Sequence, residues 1–351
     1  PVKALRDDGG GSYLDVIRAI DWVVSNKATY KIRVLNLSFS AQPHSYYWDD
    51  PLNQAVMRAW QAGIVVVASA GNRGPNSMTI AVPGNVPYVI TVGAMSDNHT
   101  PADRSDDFLT QFSSAGPTYE AFVKPELVAP GAHMQAAMGK KTVIARDHPQ
   151  YYDSRWGLFS MSGTSQAAAV VSGALALLLQ ANPSLSPDDA KCRLMASARP
   201  AVNADGTLAY SVFQQGAGMV DIYRAIQSTA TGCANVGLSI ADDLSGQRHF
   251  RGRARRSSDG VYYIEGVDGY TWADGYTWAD GYTWADGYTW ADGYTWADGY
   301  TWADGYTWAD GNSQGEVYLG ESATAQAVLG EYSSASVSTG AVTAIDVWVE
   351  D

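Results

Sequence analysis

The stretch "IVVVASAGNRG", residues 64–74, runs four large apolar residues together and then breaks into Gly, Asn and Arg. A half-exposed strand alternates apolar with polar residues. Ile64–Ser69 does not, so a strand there must be covered on both faces. The residues before it fit that demand. "DDPLNQAVMRAWQAG" (49–63) reads as a helix with Asp50 as N-cap, Pro51 in the first helical position and Gly63 just past the end. "RVLNLSF" (33–39) reads as an earlier strand. "YLDVIRAIDWVVSN" (13–26) reads as a helix with Ile17, Ile20, Val23 and Val24 on one stripe, Ser12 and Asp15 standing in capping-box spacing. Downstream, "YVITVGA" (88–94) and "PELVAPG" (125–131) are strand-like, and Ser186 caps a helix that opens on Pro187, Asp188 and Asp189. Strand and helix alternate at these lengths in an α/β fold. The expectation is three layers, a mostly parallel sheet with helices on both faces, and ligands at the carboxyl ends of the strands.

A formal net charge of −13 over 351 residues argues against nucleic acid or an anionic membrane surface as a partner. One basic run, "RHFRGRARR" (Arg248–Arg256), breaks the trend and is open as a solvated linker, a protease-sensitive joint or a binding patch. The longest apolar run, Ala167–Leu179, is interrupted by Ser172 and Gly173 and is too short for a bilayer. Cys192 and Cys233 are the only cysteines. They are open to one disulfide or two separate thiols, and an acidic, extracellular type of chain favours the bridge.

Residues 1–228 carry the α/β pattern, and 229–267 are polar and rich in Gly, Ser and Arg, which reads as a linker. "DGYTWA" then repeats seven times without substitution, Asp268 to Ala309, within a repeat region of 268–311. The final segment, 312–351, is rich in Gly, Ser, Thr, Ala and Val and suits a few short strands. The tail as a whole is thus of low-complexity or short-strand β type. In the array, Asp-Gly favours tight turns and Tyr-Thr-Trp favours strands. It is open as a spacer, as a small β-repeat that packs on the domain or on other copies, or as an aromatic surface for polysaccharide or another polymer. Its Asp residues hint at calcium, but the spacing is not that of the nonapeptide calcium repeat.

Chemistry gathers at two element edges. "FSMSGTSQAAAVVSGALALLL" (159–179) is a Gly-flanked turn that carries Thr164 and Ser165 into a long apolar helix, whose first N–H groups are open to a negatively charged oxygen. The strand Ile64–Ser69 delivers Asn72 to the carboxyl edge of the sheet. Taken singly, Asn72 reads as a turn residue and Ser165 as a helix cap. Together the Asn72 amide and the Ser165 backbone N–H make two donors for an oxyanion, with the Ser165 hydroxyl as a candidate nucleophile.

These segments, in order, resemble the subtilisin-like serine proteases (subtilases) over most of residues 2–228. "VKALRDDGGGSY" resembles the segment that edges the substrate cleft, and "VLNLSFS" the strand that walls the primary specificity pocket. "VVVASAGNRG" resembles the oxyanion strand, with Asn72 as its side-chain donor. "TIAVPGNVPYVITVGA", "FSSAGP" and "KPELVAPG" match middle segments, "MSGTSQAAAVVSG" the nucleophile motif with Ser165 as attacking serine, and "GAGMVDIYRAI" the closing helix. The resemblance implies a secreted or extracellular serine endopeptidase acting on protein or peptide substrates through an acyl-enzyme. The substrate strand would lie between Gly9, Gly10 and Gly11 on one side and Ser38, Phe39 and Ser40 on the other. Ala70 and Gly71 would line the side-chain pocket, with Phe39 setting its shape and Thr164 beside it. No cofactor is required, and a structural calcium ion has no assignable ligands.

Three departures follow. Ala169 stands where the family usually has proline, and Ser40 where it commonly has glycine. The family's Asp and His motifs precede the segment that here begins at residue 2. None of the five histidines, His44, His99, His133, His148 and His249, lies in a "HGTH"-like context. The expectation is therefore that the triad's Asp and His lie upstream in a longer precursor and that the chain alone is inactive, its sheet left with an unsealed edge. The alternative is a non-catalytic fragment or pseudo-protease whose aromatic repeat serves adhesion, polysaccharide binding or assembly.

Overall fold

A computed structural model describes residues 1–6, 10–100 and 103–265, and the backbone of 341–344. The domain opens with β1 (Gly10–Ser12), α1 (Tyr13–Ser25) and a short α2 (Lys27–Tyr30), followed by β2 (Val34–Leu37), β3 (Phe39–Ser40) and α3 (Pro51–Gln61). Then come β4 (Val65–Ser69), β5 (Ile90–Ser96), β6 (Phe108–Leu109) and β7 (Leu127–Pro130). The apolar run that begins at Ile64 is covered on both faces, since every residue of β4 and β5 is buried. β2, β4, β5 and β7 pair in parallel, through registers such as Val34 with Val65, Val67 with Ile90 and Val92 with Leu127. β6 adds an antiparallel pairing to β5. The sheet is thus mainly parallel, as expected.

The capping residues act as their positions predict. Asp50 accepts from the N–H groups of Leu52 and Asn53 at 2.8 and 3.0 Å and from the Tyr13 hydroxyl at 3.1 Å, which ties the start of α3 to α1. Ser12 accepts from Asp15 N–H at the start of α1. α3 packs on α1 and β4 on one side of the sheet. On the other side α5 (Thr164–Ala181) lies across β2, β4, β5 and β7. It is backed by α8 (Ile222–Gln227), which also packs on α6 (Pro187–Ser197). By length and composition α5 is apolar enough to cross a membrane, with a mean hydropathy of 1.4, longer than the interrupted run suggested. Here it is a core helix that buries Val171, Leu175 and Leu178 against the strands.

Residues 134–161 form an antiparallel sheet that the sequence pattern did not announce. β8 (Met134–Ala137) and β9 (Tyr152–Asp153) flank β10 (Leu158–Met161), with α4 (Val143–Asp147) between β8 and β9. Its β10 leads straight into Gly163 and α5.

The linker expected over 229–267 is, through Glu265, packed structure. After α7 (Val212–Gln215) and α8, helix α9 (Ile240–Ser245) and the hairpin β11 (Ala254–Arg256) with β12 (Tyr262–Ile264) lie on the domain. The polar composition hides three apolar anchors, Phe250, Ala254 and Ile264, all buried. Buried Asp243 accepts from the hydroxyls of Tyr47 and Tyr88. The middle of the basic run is held, with the Arg251 guanidinium 5.2 Å from the ring of Tyr46 and Arg255 paired with Glu265 at 2.6 Å, while Arg248 and Arg256 at its ends are exposed. Cys192 and Cys233 form a disulfide, joining α6 to this tract.

The DGYTWA repeats lie outside the described residues, as does the final segment except for one strand. That strand, β13 (Ala341–Ala344), sits between β1 and β3 and is antiparallel to both. Among the described residues β2 has a strand neighbour on one side only.

Candidate active site

Two chain crossings build the site. β4 ends at Ser69, and Ala70–Gly71–Asn72 turns over the sheet's carboxyl edge. β10 ends at Met161, and Ser162–Gly163 turns into α5. Both turns need glycine. Gly71 has φ +109° and packs so that a side chain would begin 2.8 Å from the Ser114 Oγ. Gly163 has φ +153°, and a side chain there would begin 3.2 Å from Asn72 Nδ2 and 3.8 Å from the Ser165 nitrogen. The glycine thus keeps open the space against which the Asn72 amide and the first turn of α5 both face.

Thr164 locks the two turns together. Its N–H and its hydroxyl both donate to Asn72 Oδ1 at 2.9 Å, while its Oγ1 accepts from Gly71 N–H at 3.2 Å. With Oδ1 so used, the Nδ2 end of the amide is turned toward Gly163. Thr164, expected among the substrate contacts, is fully buried and faces inward, because its hydroxyl is consumed by these bonds. It positions Asn72.

Ser165 follows at the start of α5, 4% exposed. Its hydroxyl donates to the Ser38 carbonyl at 3.3 Å, and the Ser38 hydroxyl donates to the Ser165 carbonyl at 2.8 Å. This reciprocal pair fixes the nucleophile candidate against the segment between β2 and β3. The Ser165 N–H belongs to the first helical turn, whose donors have no partner within the helix. A hydroxyl, a side-chain amide and a helix N-terminus therefore meet at one place, an arrangement able to hold a negative oxygen beside a nucleophile.

A cavity of about 290 Å³ opens on the Asn72 side of this place, lined by Tyr13, Ser40, His44, Gly71, Asn72 and Arg73 among others, with Ser165 not in its lining. Ser40 and Gly71 are among its lining residues. Phe39 and Ala70 are not, being buried instead, Phe39 in the main core. Burial, helped by neighbouring Asp50, pushes the Tyr13 phenol far up, so it stays a neutral donor at the rim. Gly10 and Gly11 lie in β1, across β13 from β3, and Gly9 lies outside the described residues. The roles of Thr164, in locking Asn72, and of Ser38, in holding Ser165, were not read from the sequence. Only the small polar residues beside each motif hinted at them.

A family model described as the Subtilase family matches residues 1–218. The chain belongs to that family. Among curated relatives, the subtilase domain is similar to serine protease AprX of Bacillus subtilis (strain 168), with 40% identity over 197 residues, 54% of this chain and 44% of AprX. It is also similar to subtilisin DY of Bacillus licheniformis, with 30% identity over 228 residues, 64% of this chain and 67% of that protein. The match thus spans less than half the length of AprX. Among solved structures, sphericase shares the fold with a TM-score of 0.50 at 23% identity, over 62% of this chain and 66% of that one.

Proposed function

We propose that this subtilase domain carries the nucleophile and oxyanion half of a serine endopeptidase site. Ser165 attacks the peptide carbonyl, and the oxyanion of the tetrahedral intermediate is received by Asn72 Nδ2 and the Ser165 N–H. The observation that carries this reading is the pair of hydrogen bonds that Thr164 N–H and hydroxyl donate to Asn72 Oδ1, which turn the donor end of the amide toward the nucleophile's turn. A serine hydroxyl bonded to a carbonyl is a weak nucleophile until a base takes its proton. Among the described residues the recorded partner of the Ser165 hydroxyl is the Ser38 carbonyl. The reading therefore takes the histidine base and its aspartate from outside this chain and holds the chain alone inactive. It calls for no cofactor. A secreted setting is supported by the Cys192–Cys233 bridge, which persists in oxidising compartments.

A fluorophosphonate probe tests the assignment. The chain alone should label slowly. Fused behind the Asp- and His-bearing segment of a family member, it should label at Ser165 and cleave an extended peptide, and Ser165→Ala should abolish both. A folded fusion that ends at Glu265, so that no tail strand lies in the cleft, and that neither labels nor cleaves would overturn the assignment, and strong labelling of the chain alone would overturn the claim that it lacks a base.

A further inference from the structure

The cleft between β1 and β3 is occupied by the chain itself. β13 pairs antiparallel with β1 through Gly10 with Thr343, Gly11 with Val342 and Ser12 with Ala341. It pairs antiparallel with β3 through Thr343 with Ser40 and Ala344 with Phe39. Without it, β1 and β3 present two facing rows of backbone N–H and C=O groups, the kind of edge an added strand completes. Glycines at positions 10 and 11 suit a backbone that must come close, and Ala-Val-Thr-Ala is a short, uncharged tract with β-branched residues at its centre.

The direction of the strand is informative. It passes from opposite Ser40 to opposite Phe39 and so advances toward Ser38, whose carbonyl holds the Ser165 hydroxyl. An extended peptide aimed at the nucleophile by main-chain pairing on both sides is laid out as a substrate is. We infer that residues 341–344 occupy this cleft in cis as a substrate-like strand that any other peptide must displace. That the cleft serves peptides rests on the proposed function; that the strand docks there does not.

Residues 266–340 join the strand to the domain, and at up to ~3.3–3.6 Å per residue their length sets no limit on reaching the cleft. A tethered strand competes at an effective concentration on the order of mM or below, enough to shut out peptides that bind weakly.

Hydrogen–deuterium exchange on the full chain reads occupancy without needing catalysis. The amides of 341–344 should exchange at least tenfold more slowly than in a Thr343→Pro variant, which removes an N–H at the residue paired on both sides. That substitution lies in the tail and leaves the domain sequence intact. A fluorescent acetyl-Ala-Val-Thr-Ala peptide should bind the variant at least tenfold more tightly than the parent chain. Unprotected exchange at 341–344 in the parent, or equal binding of the probe by both proteins, would overturn the inference. Protection that rises with protein concentration, with a dimer in sedimentation, would also overturn it in favour of a second copy supplying the strand. Protection with no probe binding to either protein would support the docking and count against the peptidase reading instead.

Discussion

At the scale of single residues, the site depends on side chains that do no chemistry. Thr164 is the clearest case. Replacing it with Val keeps its shape but strips one donor from Asn72 Oδ1 and the acceptor from Gly71 N–H. Urea unfolding should show a loss of about 1–3 kcal/mol, and Thr164→Ser should recover most of it. Ser165 and Asn72 were legible because each sits where an element ends on glycine and small residues. Thr164's inward turn was not, because its partner lies 92 positions away, a relation no local pattern carries. Glu120 is a second such residue. It is fully buried, accepts the Tyr47 N–H at 2.8 Å, and has no hydrogen-bond partner for Oε2 among the described residues. Burial pushes its carboxyl up to about 7. Its raised value means the folded state holds a proton that the unfolded chain has released. Its contribution to stability is therefore complete below about pH 4.5 and is lost as pH rises through about 7. Thermal melts at pH 5 and pH 8 should differ for the parent protein and differ much less for Glu120→Gln.

At the scale of elements, the caps were the most readable feature, since a Ser or Asp before a first helical turn has one dominant use. Ser12, Asp50 and Ser186 all accept the N–H groups their positions predict. Asp50 does more, because its other oxygen receives the Tyr13 hydroxyl. Asp50→Ala should therefore cost more than a simple cap, roughly 2 kcal/mol or above by denaturant titration, and Asp50→Asn should cost less. The β8–β10 sheet escaped the reading because β8 is mostly exposed and shows no apolar alternation. Its pairing is fixed by its neighbours, not by its own pattern. The 229–265 tract escaped for a related reason. Its buried anchors are widely spaced among Arg, Gly and Ser, so composition outweighed position.

At the scale of the whole molecule, the Cys192–Cys233 bridge spans 41 positions and joins α6 to the tract that follows α8. Loop-closure entropy for that span is about 4 kcal/mol, so Cys192→Ser with Cys233→Ser should lower the melting temperature markedly, with reductant having little further effect on the double variant. The mainly parallel sheet and its helical layers were legible from the alternation of strands and helices. The placement of β13 in the cleft was not, because pairing between segments so far apart leaves no mark on either one. The packed tract also sets where the protein can be trimmed. A gene cut at residue 218, where the family match stops, would yield a product with a bare thiol at Cys192. It would strand the phenols of Tyr47 and Tyr88 without Asp243 and deprive the Lys191 ammonium of Asn235. Such a product should come out of cells largely insoluble, whereas one cut after Glu265 should run as a discrete species on a sizing column. The outline that marks the family is smaller than the piece that can stand in a test tube.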